Sequence, residues 1–165
     1  MTDFDSLYNR YAQHVHRFAL FLCGDPTLAE DITSETFVRA WTGRGKIQMP
    51  TVKSYLFAIA RNLYRDTLCK ERRQTGLDDA SSTVDPQASP QSRLEYRSEL
   101  EAVLAELSCL SEVDRAALLL RVQEEMSYEE IAQTLAITPT SAKVKVHRAR
   151  LRLMRARTAL QEVHS

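Results

Sequence analysis

Two helix-start signals that lie close together near the C-terminus place the strongest constraint on how this chain folds. Ser127 and Glu130 have the spacing of a capping box, which predicts a helix that begins at Tyr128. Thr138 followed by Pro139 is a second start signal, because threonine caps free backbone N–H groups and proline suits the first helical position. The sequence therefore predicts two short helices joined by a tight turn, which is the outline of a helix-turn-helix.

The second of these helices is predicted to have one narrow buried stripe and a basic surface elsewhere. The stripe follows helical spacing and consists of Ala142, Val146, Ala149 and Leu153. The cations around it are Lys143, Lys145, Arg148, Arg150, Arg152, Arg155 and Arg157. An ordinary solvated basic face is the alternative, but the adjoining capped helix and turn favour a helix that enters a DNA major groove.

Charge is distributed unevenly along the chain, although 22 basic and 22 acidic residues cancel overall. Residues 1–75 carry 11 Lys and Arg against 8 Asp and Glu. Residues 98–137 carry 2 against 9, whereas residues 138–165 carry 7 against 1. This asymmetry indicates directional polar interactions rather than a uniform affinity for nucleic acid.

Several classes of protein are disfavoured by the sequence. No apolar run approaches the length of about 20 residues that a membrane-spanning helix needs, and the charged, aromatic N-terminus does not resemble a signal peptide. Cys23, Cys69 and Cys109 form neither a disulfide framework nor a metal-binding pair, which favours reduced thiols in a cytoplasmic protein. With no metal-ligand cluster, no nucleophile–base set and no phosphate-binding loop, we expect neither an enzyme nor a cofactor.

The chain is predicted to be all-α, with two small helical domains joined by a flexible linker. Residues 76–93 are rich in Ser, Asp, Pro and Gln and separate a domain at 1–75 from a domain at 94–165, which holds the helix-turn-helix. Further helices are predicted at 4–23, 27–41, 53–73, 94–107 and 111–123. In the first of these, Tyr8 is one of the aromatic and apolar residues at helical spacing.

Three segments resemble, in order, parts of bacterial sigma factors. LAEDITSETFVRAW at 28–41 resembles the polymerase-binding signature, and YLFAIARNLYRDTLCKERR at 55–73 resembles the helix that engages the promoter −10 element. Residues 110–153 resemble sigma domain four. Two such domains with a short linker are similar to the extracytoplasmic-function (ECF) group of the sigma-70 family. The resemblance implies a protein that binds core RNA polymerase, directs it to promoters and helps to open the DNA.

The resemblance implies a polymerase-binding surface on the second helix. Asp31 and Glu35 lie one helical turn apart and share a face. The full set implied for docking on the large polymerase subunit is Asp31, Ser34, Glu35 and Arg39. Ser34 stands where the family commonly has glutamine.

The third helix carries the residues that the resemblance implies for the −10 element: Lys53, Arg61, Asn62, Arg65 and Lys70. Arg and Lys neutralise phosphates, whereas Asn62 is able to pair with a base edge. The family captures an unstacked base of the melted strand in the preceding loop, here residues 45–53, for which a plain connecting loop is the alternative.

In the C-terminal domain the residues implied for −35 recognition are Ser127, Tyr128, Thr140, Ser141, Lys143, Val144, Lys145 and Arg148. Val144 is apolar on a face expected to be exposed, which suits a thymine methyl group or, alternatively, another protein. The partners implied are core RNA polymerase, promoter double-stranded DNA with its melted −10 strand, and a dedicated anti-sigma factor, without membrane insertion.

Two other functions compete with this interpretation. A helix-turn-helix transcription regulator that is not a sigma factor would need an N-terminal ligand or phosphorylation domain, and no alternation of strands and helices is present. A sigma mimic that binds regulators without transcribing would lack one of the basic helices, yet the chain has both.

Overall fold

The computed structural model describes residues 3–43, 51–75 and 99–164, and each regular element in these ranges is an α-helix. The helices are α1 (Phe4–Cys23), α2 (Pro26–Thr42), α3 (Val52–Thr75), α4 (Glu99–Ser108), α5 (Glu112–Val122), α6 (Tyr128–Leu135) and α7 (Pro139–His164). The all-α prediction is confirmed for this part of the chain. The predicted linker at 76–93 lies outside the described residues.

Short polar residues fix the ends of the first two helices. Asp3 caps α1 by accepting a hydrogen bond of 2.7 Å from the backbone N–H of Ser6, and this bond lowers the pKa of the Asp3 carboxyl. Gly24 ends α1 in the left-handed conformation, with φ of 72°. Asp25, rather than a residue at the predicted start near Thr27, caps α2 by accepting from the Thr27 N–H at 3.0 Å.

Both helix starts predicted near the C-terminus are confirmed by their capping hydrogen bonds. The Ser127 hydroxyl accepts from the Glu130 N–H at 3.1 Å, and the Glu130 carboxylate contacts the same hydroxyl at 3.3 Å. The Thr138 hydroxyl accepts from the Ser141 N–H at 3.1 Å. These bonds satisfy backbone donors that a helix N-terminus leaves unpaired, so α6 and α7 begin where the sequence predicts.

The turn between α6 and α7 contains a residue in an unfavourable backbone conformation. Ala136 has φ of 57° and ψ of 47°, and its N–H bonds the carbonyl of Ala132. Only glycine adopts this left-handed conformation without steric cost, since a Cβ atom crowds the neighbouring carbonyl by about 1–2 kcal/mol. The tight turn is thus obtained with an alanine under local strain.

Aromatic side chains form the centre of the N-terminal unit, α1–α3. Phe18, Phe37 and Phe57 are each at most 1% exposed, and the rings of Phe18 and Phe57 meet edge to face with centroids 5.1 Å apart. Tyr8, which follows the apolar spacing of α1, is 43% exposed. Its ring packs edge-on against Phe37, with the ring centroids 5.0 Å apart.

The N-terminal unit packs directly against the C-terminal unit, α4–α7. α1 contacts α4 and α5, while α3 contacts α6, so the buried apolar residues of the two units form one continuous core. Arg115 of α5 is 2% exposed and donates to the backbone carbonyl of Leu22 on α1 and, at 3.1 Å, to that of Leu110. The sequence predicted two domains but did not predict this close association.

We expect Ala136→Gly to raise the free energy of unfolding by about 0.5–1 kcal/mol, because it removes the left-handed strain at an exposed position. Denaturant unfolding followed by circular dichroism measures the change. Gln133→Gly is the matched control: it places glycine at an exposed position inside α6 and should lower stability by about 0.5–1 kcal/mol. A loss of stability in both variants would contradict the strain at Ala136.

Candidate nucleic-acid interface

α7 presents its basic side to solvent, as the sequence predicted. Ala142, Val146 and Ala149 are fully buried and Leu153 is half-buried, so the predicted stripe is confirmed as the face that packs on the rest of the C-terminal unit. Side chains on the other faces, together with one from α6, line an open groove; they are Tyr128, Lys143, Val144, His147, Arg148, Arg150, Leu151, Arg152 and Arg155. This groove combines apolar and cationic side chains on one surface.

The predicted −35 residues of α7 differ in exposure. Thr140, Lys143 and Val144 are exposed, with Val144 54% exposed as expected for this face. Ser141 and Lys145 are half-buried. Since the early residues of a recognition helix are those that reach base edges, the exposed Thr140 and Val144 are better placed for direct readout than the half-buried Ser141.

Arg148 has an intramolecular partner that the sequence analysis missed. Its Nε and Nη2 donate to the two carboxylate oxygens of Asp114 on α5 at 2.9 and 2.8 Å. These hydrogen bonds and the charge of Asp114 raise the pKa of the guanidinium. Asp114 is also 4.0 Å from the Nζ of Lys145. A guanidinium has five N–H donors, so this pair orients Arg148 on α7 without exhausting its capacity to bind a phosphate.

The start of α6 lies beside the groove. The guanidinium of Arg121 stacks on the Tyr128 ring, 4.6 Å from its centroid, which fixes the orientation of the ring. The hydroxyl of Ser127 is engaged in the capping bond to Glu130. Any phosphate contact made by Ser127 would therefore use its backbone rather than its side chain.

The structure divides the five residues predicted for the −10 element into two groups. Asn62, Arg65 and Lys70 are exposed on α3. Arg61 is 7% exposed, and its Nε and Nη2 donate to the carboxylate of Glu112 on α5 at 2.7 and 3.1 Å. Its Nη1 donates to the carbonyl of Leu135 at 3.4 Å.

Lys53 belongs to the second group, because its Nζ lies 3.1 Å from the carboxylate of Glu124 in the turn after α5. Two of the five predicted −10 residues therefore face the C-terminal unit instead of solvent. Most of the loop predicted to capture a base, residues 44–50, lies outside the described residues.

The predicted polymerase-binding residues share one open surface on α2. Asp31, Ser34, Glu35 and Arg39 are all exposed. The Nε of Arg39 donates to Glu35 at 3.1 Å, and both side chains are about half exposed, so the pair contributes only about 0.3–0.5 kcal/mol and exchanges partners easily. Trp41, predicted as a packing residue, is half-buried and meets Phe4 edge to face, with centroids 5.6 Å apart.

Sequence reasoning missed the acidic residues that pair across the two units. Glu112 and Glu124 belong to the acidic segment 98–137, and they bind cations of α1 and α3. The only sequence signal for these ion pairs was the contrast between the basic N-terminal unit and the acidic segment 98–137. It did not identify which residues meet, because ion pairs between distant segments have no fixed sequence spacing.

Neither a metal centre nor a membrane span is found in the part of the chain that the structure describes. No group of three or more His, Cys, Asp or Glu side chains is arranged to hold a metal ion there. None of the helices in the same ranges has the length and apolar character required to cross a bilayer.

Comparison with known proteins identifies both halves of the chain. The family model for sigma-70 region 2 matches residues 7–74, and the model for sigma-70 region 4 matches residues 100–153. The ECF RNA polymerase sigma factor SigM of Bacillus subtilis is 32% identical over 152 residues, which span 90% of this chain and 91% of that protein. The ECF sigma factor SigL of Mycobacterium tuberculosis is 31% identical over 165 residues, spanning 96% of this chain and 89% of SigL.

Two solved structures are similar to this chain over most of its length. The sigma factor RpoE from Bartonella quintana, in complex with the anti-sigma factor NepR, is similar with a TM-score of 0.76 and 27% identity, covering 94% of this chain and 96% of RpoE. CnrH in complex with the cytosolic domain of CnrY is similar with a TM-score of 0.69 and 25% identity, covering 98% of this chain and 89% of CnrH. With region 2 on α1–α3, region 4 on α4–α7 and a helix-turn-helix in the latter, this chain belongs to the ECF RNA polymerase sigma factors.

Proposed function

We propose that this sigma factor divides its work between three helix faces: α2 docks on core RNA polymerase, α3 engages the −10 element, and α7 reads the −35 element. One observation carries the proposal. The α6–α7 helix-turn-helix is capped at both helix starts and presents Thr140, Lys143 and Val144 beside a groove rich in cations. A rigid, basic helix with polar and apolar side chains at its exposed start fits a major groove.

In this proposal the −35 contacts fall into two classes. Lys143, Arg148 and Lys145 bind phosphates and fix the position of α7, whereas Thr140, Ser141 and Val144 meet base edges. The Asp114 carboxylate holds the Arg148 guanidinium in one orientation before DNA arrives, at 2.8–2.9 Å. This pre-ordering reduces the conformational entropy lost on binding.

The outer face of α2 is suited to polymerase because nothing else in the described chain uses it. α2 packs against α1 and α3 through Ile32, Phe37 and other buried residues, while Asp31 and Glu35 stay exposed. Their carboxylates supply a local negative surface for a basic or polar partner. Exposed charges of this kind contribute mainly to the orientation and rate of association.

We propose domain boundaries at 1–75 for polymerase docking and −10 melting and at 94–165 for −35 recognition, with 76–93 as the tether. Asn62, Arg65 and Lys70, exposed along α3, are the proposed −10 contacts in the arrangement described here. Arg61 and Lys53 join them only when the C-terminal unit releases them. The protein acts by binding and strand separation, without bond chemistry of its own.

We further propose cytoplasmic action and control by an anti-sigma factor. Core polymerase and promoter DNA, the two partners of the proposed function, share that compartment. The sigma factor RpoE, to which this chain is similar, was determined in complex with the anti-sigma factor NepR, and the similar protein CnrH was determined in complex with the cytosolic domain of CnrY.

Reconstitution with core RNA polymerase tests the function as a whole. We expect the chain to bind core enzyme and to shift transcript starts to a distinct set of promoters, which sequencing of transcript 5′ ends records. A helix-turn-helix regulator that is not a sigma factor would bind DNA yet leave core polymerase unbound, and that outcome would exclude the proposal.

We expect Asp31→Ala to weaken core polymerase binding about tenfold, the change that about 1.4 kcal/mol produces, because Asp31 is proposed as one of the few interface residues that cost more than about 1 kcal/mol when truncated. Titration of labelled protein with core enzyme measures the change. Asp5→Ala, which removes an exposed carboxylate from α1, is the matched control and should bind core enzyme as the parent does. An equal loss in both variants would remove the assignment of the docking face to α2.

We expect Lys143→Ala and Arg148→Ala to weaken binding to −35 DNA. In each variant the slope of log K against log salt should become shallower by about the amount that one phosphate contact contributes. Core polymerase binding should stay unchanged in both.

Arg148→Ala should also lower the free energy of unfolding by about 1–3 kcal/mol, because it leaves the 6% exposed Asp114 without its bidentate partner. If Arg148→Ala reduced core binding as much as Asp31→Ala, the two surfaces would not be separate.

A further inference from the structure

Glu124, in the turn between α5 and α6, is a fully buried acid held by the other unit. Its side chain is 0% exposed. Three side chains of the N-terminal unit converge on its carboxylate: His14 Nδ1 at 3.0 Å, Arg17 Nη2 at 3.1 Å and Lys53 Nζ at 3.1 Å. A buried carboxylate is stable only when it is paired and hydrogen-bonded, and here the whole pairing comes from α1 and α3.

The same cations also bind the backbone of this turn. Arg17 Nη2 donates to the carbonyl of Gln123 at 3.3 Å, and Lys53 Nζ donates to the carbonyl of Glu124 at 3.3 Å. Two permanently charged groups and one imidazole thus surround a single negative charge. The cluster carries more positive charge than its present occupant neutralises.

The three side chains lie at the edge of the interface rather than deep inside it. His14 is 45% exposed, Arg17 46% and Lys53 30%, measured on the side chains, whereas the acid between them is fully covered. When the turn moves away, these groups become a solvent-facing cationic site that has lost its anion. Such a site is expected to bind another anion.

We propose that His14, Arg17 and Lys53 form a binding site for a DNA backbone phosphate, and that Glu124 occupies this site as an internal substitute when the two units are packed together. This inference rests on the proposed function, which brings DNA to α3. It adds His14 and Arg17 of α1 to the DNA-contacting residues.

The chemistry of the site suits either anion. A carboxylate and a phosphodiester both offer two oxygen acceptors with one shared negative charge, and arginine binds both through charge-assisted hydrogen bonds. Lysine and imidazole add point donors that do not require a planar partner. None of the three donors distinguishes one base from another, so the site would position DNA without reading its sequence.

The location of the site agrees with DNA as the second occupant. Lys53 is the second residue of α3, the helix that carries the exposed Asn62 and Arg65. The N-terminal end of a helix carries a partial positive charge, which favours a nearby phosphate. A strand that runs along α3 would thus meet this cluster at the N-terminal end of the helix.

A second ion pair between the units also engages a cation of α3 that is predicted to contact DNA. Glu112 of α5 binds Arg61 at 2.7 Å, so two acids of the C-terminal unit occupy two of the cations predicted to contact the −10 element. DNA and the packed arrangement therefore compete for the same groups on α3. A ligand that binds only one of two arrangements shifts the population towards it in proportion to that difference in affinity.

The test compares Glu124→Gln with Glu125→Gln in the full chain, without polymerase. Both variants lose one negative charge at neighbouring positions, but Glu125 is exposed and lies outside the cluster. The probe is a fluorescein-labelled single-stranded oligonucleotide, and fluorescence anisotropy gives its affinity over a series of salt concentrations.

We expect Glu124→Gln to bind the oligonucleotide several-fold more tightly at low salt. The slope of log K against log salt should steepen by about 0.7, the value for one additional phosphate contact on a single strand. Glu125→Gln should keep the slope of the parent chain. Adding Arg17→Ala to Glu124→Gln should abolish the gain. Equal slopes in the two glutamine variants, or a gain that survives Arg17→Ala, would overturn the phosphate site.

A second measurement covers the case in which Glu124→Gln does not fold, as judged by circular dichroism. In the parent chain, the NMR resonances of the Arg17 guanidinium should shift as the same oligonucleotide is added, because the acceptors of its Nη2 group change from Gln123 and Glu124 to phosphate. An unchanged resonance at saturation with oligonucleotide would overturn the proposal.

The outcomes separate this inference from the function on which it rests. Core polymerase binding with equal slopes in the two glutamine variants rejects the phosphate site and keeps the sigma-factor function. A steeper slope for Glu124→Gln, in a chain that fails to bind core polymerase, keeps the phosphate site and rejects the sigma-factor function.

Discussion

The arrangement of the whole molecule depends on one buried cation, the guanidinium of Arg115. It is 2% exposed and joins α5 to the backbone carbonyl of Leu22 at the end of α1, with the Tyr64 hydroxyl 3.5 Å away. A buried guanidinium costs several kcal/mol unless its hydrogen bonds are satisfied. A small displacement of α5 relative to α1 would therefore break these bonds and destabilise the fold. Once Arg115 fixes α5 beside α1, the acids at the two ends of α5 fall opposite the cations of the N-terminal unit. The packing of α6 on α3 follows from the same placement.

That placement gives the three functional faces different availability. The α2 surface and the early part of α7 are open, whereas α3 is partly engaged with the C-terminal unit. The docking and −35 reading proposed for these surfaces thus require no rearrangement of the described chain, while full use of α3 in the proposed −10 contacts requires the units to separate. In promoter recognition this order is useful, because melting the −10 element before the enzyme is docked and oriented would serve no purpose. Within the apolar interface between the units, the ion pairs of Glu112 and Glu124 are the contacts that link the proposed steps.

Local features of the fold were predictable from sequence because their causes lie within a few residues. The capping pairs at Ser127 and Thr138 and the buried stripe through Val146 depend only on spacing along one helix, and the structure has them as predicted. Contacts between remote segments were not predictable. Arg61 was correctly placed on α3, but its burial against Glu112 depends on how two helices 51 residues apart in sequence meet. Tyr8 fits the apolar pattern of α1, yet its side chain is 43% exposed, because spacing along one helix does not show how far its neighbours cover each position.

The position of Trp41 gives the proposed polymerase-binding face on α2 an intrinsic fluorescent probe. It is the one tryptophan of the chain, it lies at the C-terminal end of α2, and it is half-buried against Phe4. The emission of an indole depends on the polarity around it, so a partner that covers this end of α2 changes the intrinsic fluorescence of the protein. The recognition helix belongs to the other unit, and DNA binding there leaves the indole environment as it is. One unlabelled sample is therefore able to distinguish events on the two surfaces.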